Sequence, residues 1–330
     1  MPELKKEILA GVSRSFYVTL KLLPAAVRDP LSLGYLLARA ADTVADTDAL
    51  PARERLDCLR RFKERVCEGR ADAELTADLC EALTDKLDHP EERLLLERLD
   101  ECLAWFDRSP DDEREAIRTV LRVILKGQSL DVERFELEEG ASALPDAAAL
   151  DEYTYLVAGC VGEFWTTVPA QKFGDGFARA DLSTMLKLGV RYGKGLQLVN
   201  VLRDFPKDLR ERGRCYWPLT ELRAAGFSED EPLESLLDSP DLVESVSPPW
   251  KALCREHLDQ GMRYVKLVKN RRLRLATALP VLLGYRTLEA IEAADWETYL
   301  AGVKVGRKTV RRELLRSMRI AFFGSRSSRR

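Results

Sequence analysis

The chain has 330 residues, of which 45% are hydrophobic and 32% are charged, and its formal net charge is −3. This length is sufficient to bury a substantial core, and the composition is typical of a globular protein. The weak negative charge provides no general attraction to nucleic acid, so we expect no nucleic-acid partner. No apolar run reaches the roughly 18 residues needed to span a bilayer, and the first residues lack a signal-peptide pattern.

Cysteine and histidine usage narrows the chemistry further. The seven cysteines are scattered without a Cys-x-x-Cys pair, which favours reduced thiols and a cytoplasmic location. His89 and His257 are the only histidines, so a histidine-based zinc site and a Ser-His-Asp triad are both disfavoured. Metal chemistry would therefore depend on carboxylates, which are the ligands of a hard ion such as Mg²⁺.

Apolar residues recur at three- and four-residue spacing along most of the chain, and this pattern predicts helices. The predicted helical segments are 31–47, 52–68, 73–86, 90–107, 111–137, 150–168, 180–205, 251–268, 274–293 and 296–320. Alternation typical of strands is nearly absent, so a sheet is not expected. Asp29-Pro30 and Ser247-Pro248-Pro249 are predicted to break helices, and 226–249 is predicted to form a surface loop. We therefore predict an all-α fold with one domain over 1–310 and a basic tail over 311–330.

The first candidate site lies in the predicted helix 31–47. Tyr35, Arg39, Asp42 and Asp46 are four, three and four residues apart, so they share one helix face. With 55 acids in the chain, this spacing alone is weak evidence and also fits a solvated polar face. The apolar surroundings strengthen it, because half-buried carboxylates are costly unless a cation neutralises them.

The second candidate site lies near the end of the predicted helix 180–205. Gln197, Asn200, Asp204 and Asp208 again share a face. Pro206 removes one helical hydrogen bond and clashes with the carbonyl of residue 202, so we expect a kink or a helix end there. Asp208 would then point away from the line of Asp204. A helix C-terminus of mixed charge is the alternative interpretation.

We call the line from Tyr35 to Asp46 the first stripe and the line from Gln197 to Asp208 the second stripe. Two such lines of carboxylates suit the binding of a diphosphate. Mg²⁺ is usually held by one or two carboxylates together with substrate phosphate oxygens. An ion bound in this way neutralises a diphosphate leaving group. An allylic cation left behind needs apolar and aromatic walls that exclude water.

Several motifs in chain order resemble those of the squalene/phytoene synthase family. They are Ser13-Arg14-Ser15-Phe16-Tyr17, the segment from Tyr35 to Asp46, the segment from Tyr153 to Gly162, the segment from Gln197 to Asp208, Arg212-Gly-Arg-Cys-Tyr-Trp-Pro218 and Lys304-Val-Gly-Arg307. Each motif alone is weak, but the ordered set covers about residues 9 to 310.

The resemblance implies an isoprenoid-synthase-type helical bundle around a central cavity and Mg²⁺-dependent, head-to-head coupling of two allylic diphosphates. Matched by position, the implied metal ligands are Asp42, Asp46, Asp204 and Asp208. The implied diphosphate-binding residues are Arg14, Ser15, Tyr35, Arg39, Gln197, Asn200 and Arg203. The implied catalytic residues are Tyr35, Arg39, Tyr153 and Arg203. Arginine forks suit phosphate oxygens, although ordinary ion pairing is the alternative.

One position departs from the pattern of squalene synthases. The residue before Val-Ala-Gly is typically a tyrosine in those enzymes, whereas here it is Leu156. Tyr153 or Tyr155 would have to take over any proton handling at this point. Gly159 and Gly162 would allow close approach of a ligand or of another helix.

Within the family, Tyr216-Trp217-Pro218 is most similar to squalene synthases. The expected reaction joins two molecules of farnesyl diphosphate through presqualene diphosphate to squalene, with NADPH as reductant. Asn200, Lys304 and Arg307 are candidates for contacts with the cofactor. The alternatives are a phytoene, dehydrosqualene or presqualene diphosphate synthase without reduction, and an inactive member that acts as an assembly or lipid-binding factor.

The basic tail interleaves arginines with Leu314, Leu315, Met318 and Phe322. This pattern fits a peripheral helix on an anionic membrane surface, such as the inner face of the cell membrane. A helix that packs through its Leu/Ile face and frays at its end is the alternative.

Overall fold

The computed structural model describes residues 19–137 and 143–323. The predicted diphosphate-binding residues Arg14 and Ser15 lie outside these ranges. The chain forms two compact units, Met1–Glu138 with Phe164–Gly174 and Glu139–Glu163 with Asp175–Arg330. The single domain over 1–310 stays a prediction.

The first unit is built from helices close to those expected from periodicity. They are α1 (Ala25–Asp46), α2 (Ala52–Cys67), α3 (Leu75–Leu83), α4 (Pro90–Glu97), α5 (Leu99–Asp107) and α6 (Asp111–Val132), with a 3₁₀ turn at Thr84–Lys86 and a π-helical turn at Glu133–Leu137. The predicted segment 90–107 is divided at Arg98, which caps α4 and precedes α5. The helix α8 (Cys160–Phe173) contributes its residues from Phe164 onward to this unit.

Pro30 lies inside α1, so the predicted break at Asp29-Pro30 is wrong. Proline leaves one carbonyl of the helix without its usual partner. Val27 and Leu31 on either side are 0% and 2% exposed. Burial of this apolar face offsets the lost bond, because packing contributes more to helix stability in proteins than local propensity does.

A buried ion pair fixes the end of α1. Arg55 is 2% exposed, pairs with Glu136 and donates from Nη1 to the carbonyl oxygen of Ala45 at 2.8 Å. The last carbonyls of a helix have no partner within the helix. Arg55 therefore satisfies one of them beside Asp46, the last residue of α1.

The second unit is organised around one long helix. Its helices are α7 (Ala147–Thr154), α9 (Leu182–Arg212), α10 (Leu219–Ala224), α11 (Pro240–Leu267), α12 (Arg271–Ala293), α13 (Trp296–Ala301) and α14 (Arg307–Phe323), with 3₁₀ turns at Gly174–Gly176 and Leu233–Asp238. A π-helical turn at Tyr155–Gly159 joins α7 to α8. Within residues 19–137 and 143–323, the expectation of no sheet holds except for a short parallel pair, β1 (Ala143–Leu144) and β2 (Cys215–Pro218).

Two sequence expectations fail at prolines of this unit. The helix α9 continues through Pro206 to Arg212 instead of ending near 205, and it stops at Gly213, whose φ is 62°. The helix α11 begins at Pro240 and contains Pro248 and Pro249, so the predicted loop over 226–249 is wrong for its second half. Val243, Val246 and Trp250 are buried along α11, and this apolar face holds the helix together across the two prolines.

Glycines let α9 approach the segment that runs from α7 to α8 very closely. A Cβ atom added at Gly162 would lie 1.9 Å from the carbonyl oxygen of Gly189, and one added at Gly193 would lie 2.1 Å from that of Ala158. Such distances are far below van der Waals contact, so only glycine fits. The glycines of the Tyr153–Gly162 motif thus serve contact with another helix.

The helix α14 packs in an unexpected orientation. Glu313, Ser317 and Ala321 are fully buried, and Glu313 Oε1 accepts from Nε of Arg286 on α12 at 2.8 Å. Leu315 and Phe322 are 60% and 51% exposed. An ion pair and small side chains therefore form the buried face, with Leu314 and Ile320 partly exposed beside it. The alternative of packing through a Leu/Ile face is wrong for Leu315.

The cysteines and the hydropathy of the helices agree with the composition. All seven cysteines lie within the described residues and are free thiols. Over residues 19–137 and 143–323, every helix is too short or too polar to cross a membrane.

We expect Gly162→Ala to lower the free energy of unfolding by about 2–3 kcal/mol, because the added methyl group would overlap a backbone oxygen. Chemical denaturation at one temperature measures this change. Gly306→Ala is the matched control, since a Cβ atom there meets nothing within 4 Å and should change stability by less than about 0.5 kcal/mol. Equal stability of the two variants would contradict the close approach.

His257 provides a test of pH dependence in the same unit. It is 7% exposed, and its Nδ1 accepts from Nε of Arg191 at 3.2 Å. Burial, followed by the positive charges of Arg191 and Lys194, lowers the pKa of His257 to about 4, and Glu256 and Asp151 oppose this shift. The unfolded chain therefore binds more protons than the folded chain between about pH 4 and 6.5.

We expect the contribution of His257 to be fully present above pH 6.5 and to be lost as the pH falls towards 4. The difference in unfolding free energy between the protein and His257→Gln should change by up to about 3 kcal/mol over this window. His89→Gln is the control, because His89 is exposed. Parallel pH profiles for the protein and His257→Gln would contradict a buried neutral imidazole.

Candidate active site

The four predicted residues of the first stripe share one face of α1. Tyr35, Arg39, Asp42 and Asp46 are all partly exposed, whereas the apolar residues between them, including Leu36, Leu37, Ala40, Ala41, Val44 and Ala45, are buried. This matches the 3.6-residue repeat of a helix with one polar line. The structure therefore brings together the four polar groups that spacing predicts.

Arg39 bridges two acidic groups at this stripe. Its guanidinium bonds both to Asp42 on the same helix and to Glu92 on α4. Sequence reasoning missed Glu92, because acids in the first turn of a helix are common and stabilise it without further function. Its position after Pro90, at the start of α4, gave no separate signal.

The electrostatics of Asp42 reflect this crowding. Partial burial and the negative charges of Asp46 and Glu92 raise the pKa of Asp42 to about 6, while Arg39 lowers it. A raised carboxyl pKa means that the charged form is disfavoured where it stands. A bound cation would relieve the same repulsion.

The second stripe lies on α9. Gln197, Asn200, Asp204 and Asp208 are partly exposed between buried residues. Asp208 stays on this helix, which Gly213 and Arg214 close by donating to the carbonyl oxygens of Leu209 and Asp208 at 3.1 and 3.2 Å. Of the two outcomes expected at Pro206, the helix end is absent, and Asp204 and Asp208 are one turn apart on α9. A kink there stays a prediction.

Arg203 and Asp204 form a two-point ion pair. Arg203 Nε lies 2.8 Å from Asp204 Oδ1, and its Nη2 donates to the other carboxylate oxygen. Hydrogen bonding to Asp204 raises the pKa of Arg203 above its ordinary value, and the charges of Asp204 and Asp208 act in the same direction. This guanidinium is thus a permanent cation beside the stripe.

A polar chain continues from this stripe towards an aromatic pair. Asn200 Nδ2 donates to Gln197 Oε1 at 3.2 Å, and Gln197 Nε2 donates to the hydroxyl oxygen of Tyr153 at 3.1 Å. Tyr153 stacks on Tyr216 with ring centroids 4.5 Å apart. The predicted residue Tyr153 is therefore connected to the second stripe through Gln197.

Tyr155, two residues after Tyr153, has a different hydrogen-bond partner. Tyr155 donates to Glu163 Oε2 at 3.1 Å, and burial together with Glu163 raises the pKa of Tyr155 to about 12. Glu163, which lies in an apolar stretch of the sequence, therefore has Tyr155 as a partner. Leu156, at the position of the family tyrosine, is buried.

The three candidate residues for cofactor contacts do not share one helix, unlike the residues of each stripe. Lys304 lies in the connection before α14, Arg307 begins that helix, and both are exposed. Asn200 is partly exposed on α9. These three positions stay predictions.

The donor set of each stripe suits Mg²⁺ in chemical type. Residues 19–137 and 143–323 contain no group of three or more His, Cys, Asp or Glu side chains placed to hold a metal alone. Pairs of carboxylates that need further oxygens from a phosphate substrate are nevertheless the usual ligands of Mg²⁺. Asp42 with Asp46, and Asp204 with Asp208, are such pairs.

Comparison with known proteins gives one family. The squalene/phytoene synthase family matches residues 9–313. A squalene synthase of Botryococcus braunii is 26% identical over 284 residues, which cover 85% of this chain and 56% of that protein. The presqualene diphosphate synthase of Rhodopseudomonas palustris is 25% identical over 300 residues, covering 90% of each chain. The 15-cis-phytoene synthase of Synechocystis sp. is 26% identical over 310 residues, covering 90% and 78%.

The chain spans about half the length of the squalene synthases it matches. Solved structures resemble it over nearly their full length. The squalene synthase TcSQS in complex with the ligand E5700 has a TM-score of 0.76 at 21% identity, covering 99% of this chain and 92% of that one. A dehydrosqualene synthase in complex with ligand has a TM-score of 0.60 at 19% identity, covering 95% and 93%.

At these identities the structural likeness shows the fold, and it confirms the predicted all-α fold of the isoprenoid-synthase type. The family match covers almost the whole chain and includes both aspartate stripes. Members of this family are prenyltransferases that act on prenyl diphosphates. The chain therefore belongs to the squalene/phytoene synthase family.

Proposed function

We propose that the protein is a squalene synthase. It would join two molecules of farnesyl diphosphate head to head, form presqualene diphosphate, and reduce the rearranged cation with NADPH. The observation that carries the proposal is the pair of partly exposed aspartate stripes, each with its own arginine, inside a family that acts on prenyl diphosphates. Tyr216-Trp217-Pro218 favours the squalene branch.

Asp42, Asp46, Asp204 and Asp208 would hold Mg²⁺ in this proposal. When bound, Mg²⁺ supplies charge neutralisation that makes diphosphate a good leaving group. The raised pKa of Asp42 supports this assignment, because carboxylates that repel each other gain most from a shared cation.

Arg39 and Arg203 would have two roles in turn. Without substrate they neutralise Asp42 and Asp204, to which they are bonded. When a cation takes over that neutralisation, the two guanidinium groups can bind phosphate oxygens in place of Asp42 and Asp204. Arg39 keeps its bond to Glu92. The side chains then hold the diphosphate on the stripe that carries the metal ligands.

Tyr35, Gln197 and Asn200, together with Arg14 and Ser15, would contact diphosphate groups of the substrates. Tyr153 would face the reacting carbons, since its hydroxyl accepts from Gln197 and its ring stacks on Tyr216. Aromatic faces stabilise a nearby cation. Asn200, Lys304 and Arg307 would contact the phosphates of NADPH.

The alternative products depend on the reduction step. A phytoene, dehydrosqualene or presqualene diphosphate synthase would use the same stripes without NADPH. Relatives with these activities are about as similar to the chain as the squalene synthases are. An inactive member that acts in assembly or lipid binding is the alternative from another class.

Incubation with farnesyl diphosphate and Mg²⁺, with and without NADPH, followed by product analysis, tests the proposal. We expect squalene only when NADPH is present, and loss of turnover when a chelator removes the metal. Dehydrosqualene or presqualene diphosphate as the final product in the presence of NADPH would reject the squalene assignment. Turnover restricted to geranylgeranyl diphosphate would also reject it, and no turnover at all would favour the inactive member.

Asp42→Asn and Asp204→Asn should each lower kcat by at least about a hundredfold, because each removes one metal ligand. Asp230→Asn, a change at an exposed loop residue, is the matched control.

The fold should survive the change at Asp42, and metal-free Asp42→Asn should have a free energy of unfolding up to about 1 kcal/mol higher near pH 7. The folded pKa of Asp42 lies above its unfolded value, so its contribution to stability is lost as the pH rises through about 6. Because 40% of the side chain is exposed, solvent screening keeps this gain small.

A peripheral membrane contact through α14 belongs to the same proposal, at the inner surface of a cytoplasmic membrane. Leu315, Met318 and Phe322 are exposed at a spacing of three and four residues, so they form one apolar ridge. Arg311, Arg312, Arg316 and Arg319 are exposed around it. A basic helix with an apolar ridge suits an anionic bilayer, where a very apolar product could be delivered.

Co-sedimentation with vesicles tests this contact. We expect the protein to bind phosphatidylserine-containing vesicles more strongly than pure phosphatidylcholine vesicles, with binding that weakens as salt rises. The double change Leu315→Gln with Phe322→Gln should weaken partition at least about tenfold, because two large apolar side chains no longer enter the bilayer. Leu182→Gln, which alters another exposed leucine, should bind like the unchanged protein. Equal vesicle binding by the unchanged protein, the double variant and Leu182→Gln would exclude the apolar ridge as the membrane contact.

A further inference from the structure

Pro206 creates a gap in the hydrogen bonding of α9 at the second aspartate stripe. In a helix, the carbonyl of residue 202 normally accepts from the backbone N–H of residue 206. Proline has no such N–H, yet α9 continues for six residues beyond it, to Arg212. Leu202 is 1% exposed, so its carbonyl oxygen has no access to bulk water and needs another donor.

The missing donor comes from a distant part of the chain. The hydroxyl of Tyr299 donates to the carbonyl oxygen of Leu202 at 2.6 Å. Tyr299 is itself 8% exposed, and burial raises the pKa of its hydroxyl, with the negative charge of Asp204 acting in the same direction. The hydroxyl therefore keeps its proton and stays a donor. It replaces the bond that Pro206 cannot make.

Tyr299 is well placed for this role because its short helix is fixed at both ends. The side chain of Asp295 caps α13 by accepting from the backbone N–H of Thr298 at 2.8 Å. The indole Nε1 of Trp296 donates to the carbonyl oxygen of Leu237 at 3.1 Å. Arg210 of α9 donates to the carbonyl oxygen of Leu300 at 3.4 Å. These contacts therefore hold the hydroxyl of Tyr299 where it donates to the carbonyl oxygen of Leu202.

We propose that Tyr299 is a positioning residue for the diphosphate site: it holds the turn from Leu202 to Pro206, and through it the carboxylate of Asp204 and the guanidinium of Arg203. These two residues follow Leu202 directly and lie between its carbonyl, which Tyr299 anchors, and Pro206. The inference rests on the proposed function, in which Asp204 binds metal and Arg203 binds diphosphate. Tyr299 acts through these residues and does not itself touch the substrate.

Hydrogen exchange tests the structural step without reference to activity. In Tyr299→Phe, the backbone amides of Phe205, Lys207 and Asp208 should exchange about five- to tenfold faster, which corresponds to the loss of one buried hydrogen bond. Tyr192→Phe is a matched control, because Tyr192 is also 8% exposed and donates to a backbone carbonyl, that of Thr277, at 2.7 Å. Unchanged exchange over 205–208 in Tyr299→Phe would overturn the proposal.

Binding of inorganic diphosphate with Mg²⁺, measured by calorimetry, tests the positioning step. Tyr299→Phe should weaken binding about five- to tenfold, while Tyr192→Phe should leave it within twofold. Asp204→Asn serves as the reference for the site. If Asp204→Asn binds normally, the proposed function fails, whereas the exchange result still reports on Tyr299. If Asp204→Asn loses binding and Tyr299→Phe does not, the positioning role fails alone.

Pro206→Ala provides a rescue, since alanine restores the backbone N–H that Leu202 lacks. In the Pro206→Ala background, Tyr299→Phe should change diphosphate binding and kcat by less than twofold. The comparison uses only the effect of Tyr299→Phe within each background, so any effect of Pro206→Ala itself cancels. Equal losses in both backgrounds would show that the Tyr299 hydroxyl does not act by replacing the N–H missing at Pro206, and would overturn the proposal.

Discussion

Negative charge held on apolar helices is the constraint on which the candidate site depends. Asp42 and Asp204 each lie beside buried apolar residues of their helix, and a half-buried carboxylate without a partner destabilises the fold. The chain meets this requirement locally, with Arg39 three residues before Asp42 and Arg203 directly before Asp204. Each stripe is thus stable without a ligand and still keeps its carboxylates at the surface of the helix.

Backbone contacts of α9 with its neighbours fix the positions of the side chains on the second stripe. Gly162 and Gly193 bring neighbouring backbones to within distances that exclude any side chain, so the helix has little freedom to slide. Pro206 weakens the same helix beside Asp204, and the hydroxyl of Tyr299 closes the gap. The close packing at Gly162 and Gly193 and the hydrogen bond from Tyr299 together fix the orientation of the second stripe. A site held to a fraction of an ångström requires such support from its surroundings.

Periodicity in the sequence predicted most helices and both stripes, because a 3.6-residue repeat records which face is buried. Pro30 and Pro248 were wrongly predicted to break helices, since tertiary burial offsets one lost hydrogen bond. The predicted helix end at Pro206 failed because the hydroxyl of Tyr299 supplies the missing donor. Glu92 was missed because an acid in a first helical turn is ordinary, and Tyr299 because its partner is 97 residues away in the chain. Local patterns carry no record of such long-range bonds. The buried face of α14 was misjudged for a related reason, as Glu313 is buried only because Arg286 lies opposite it.

Two ion pairs of the candidate site differ in exposure from two pairs of the surrounding scaffold. Arg39 with Asp42 and Arg203 with Asp204 keep between 33% and 40% of their side-chain surface exposed, so solvent screens them and exchange of partners costs little. Arg55, with 3% exposed, and Glu313, with 1%, are each buried within their pairs, where removal of a partner would leave an uncompensated charge. The two pairs of the candidate site are therefore replaceable, whereas the pairs of Arg55 and Glu313 are permanent parts of the scaffold. This division is what a site needs if its arginines must leave one anion for another while the fold stays unchanged.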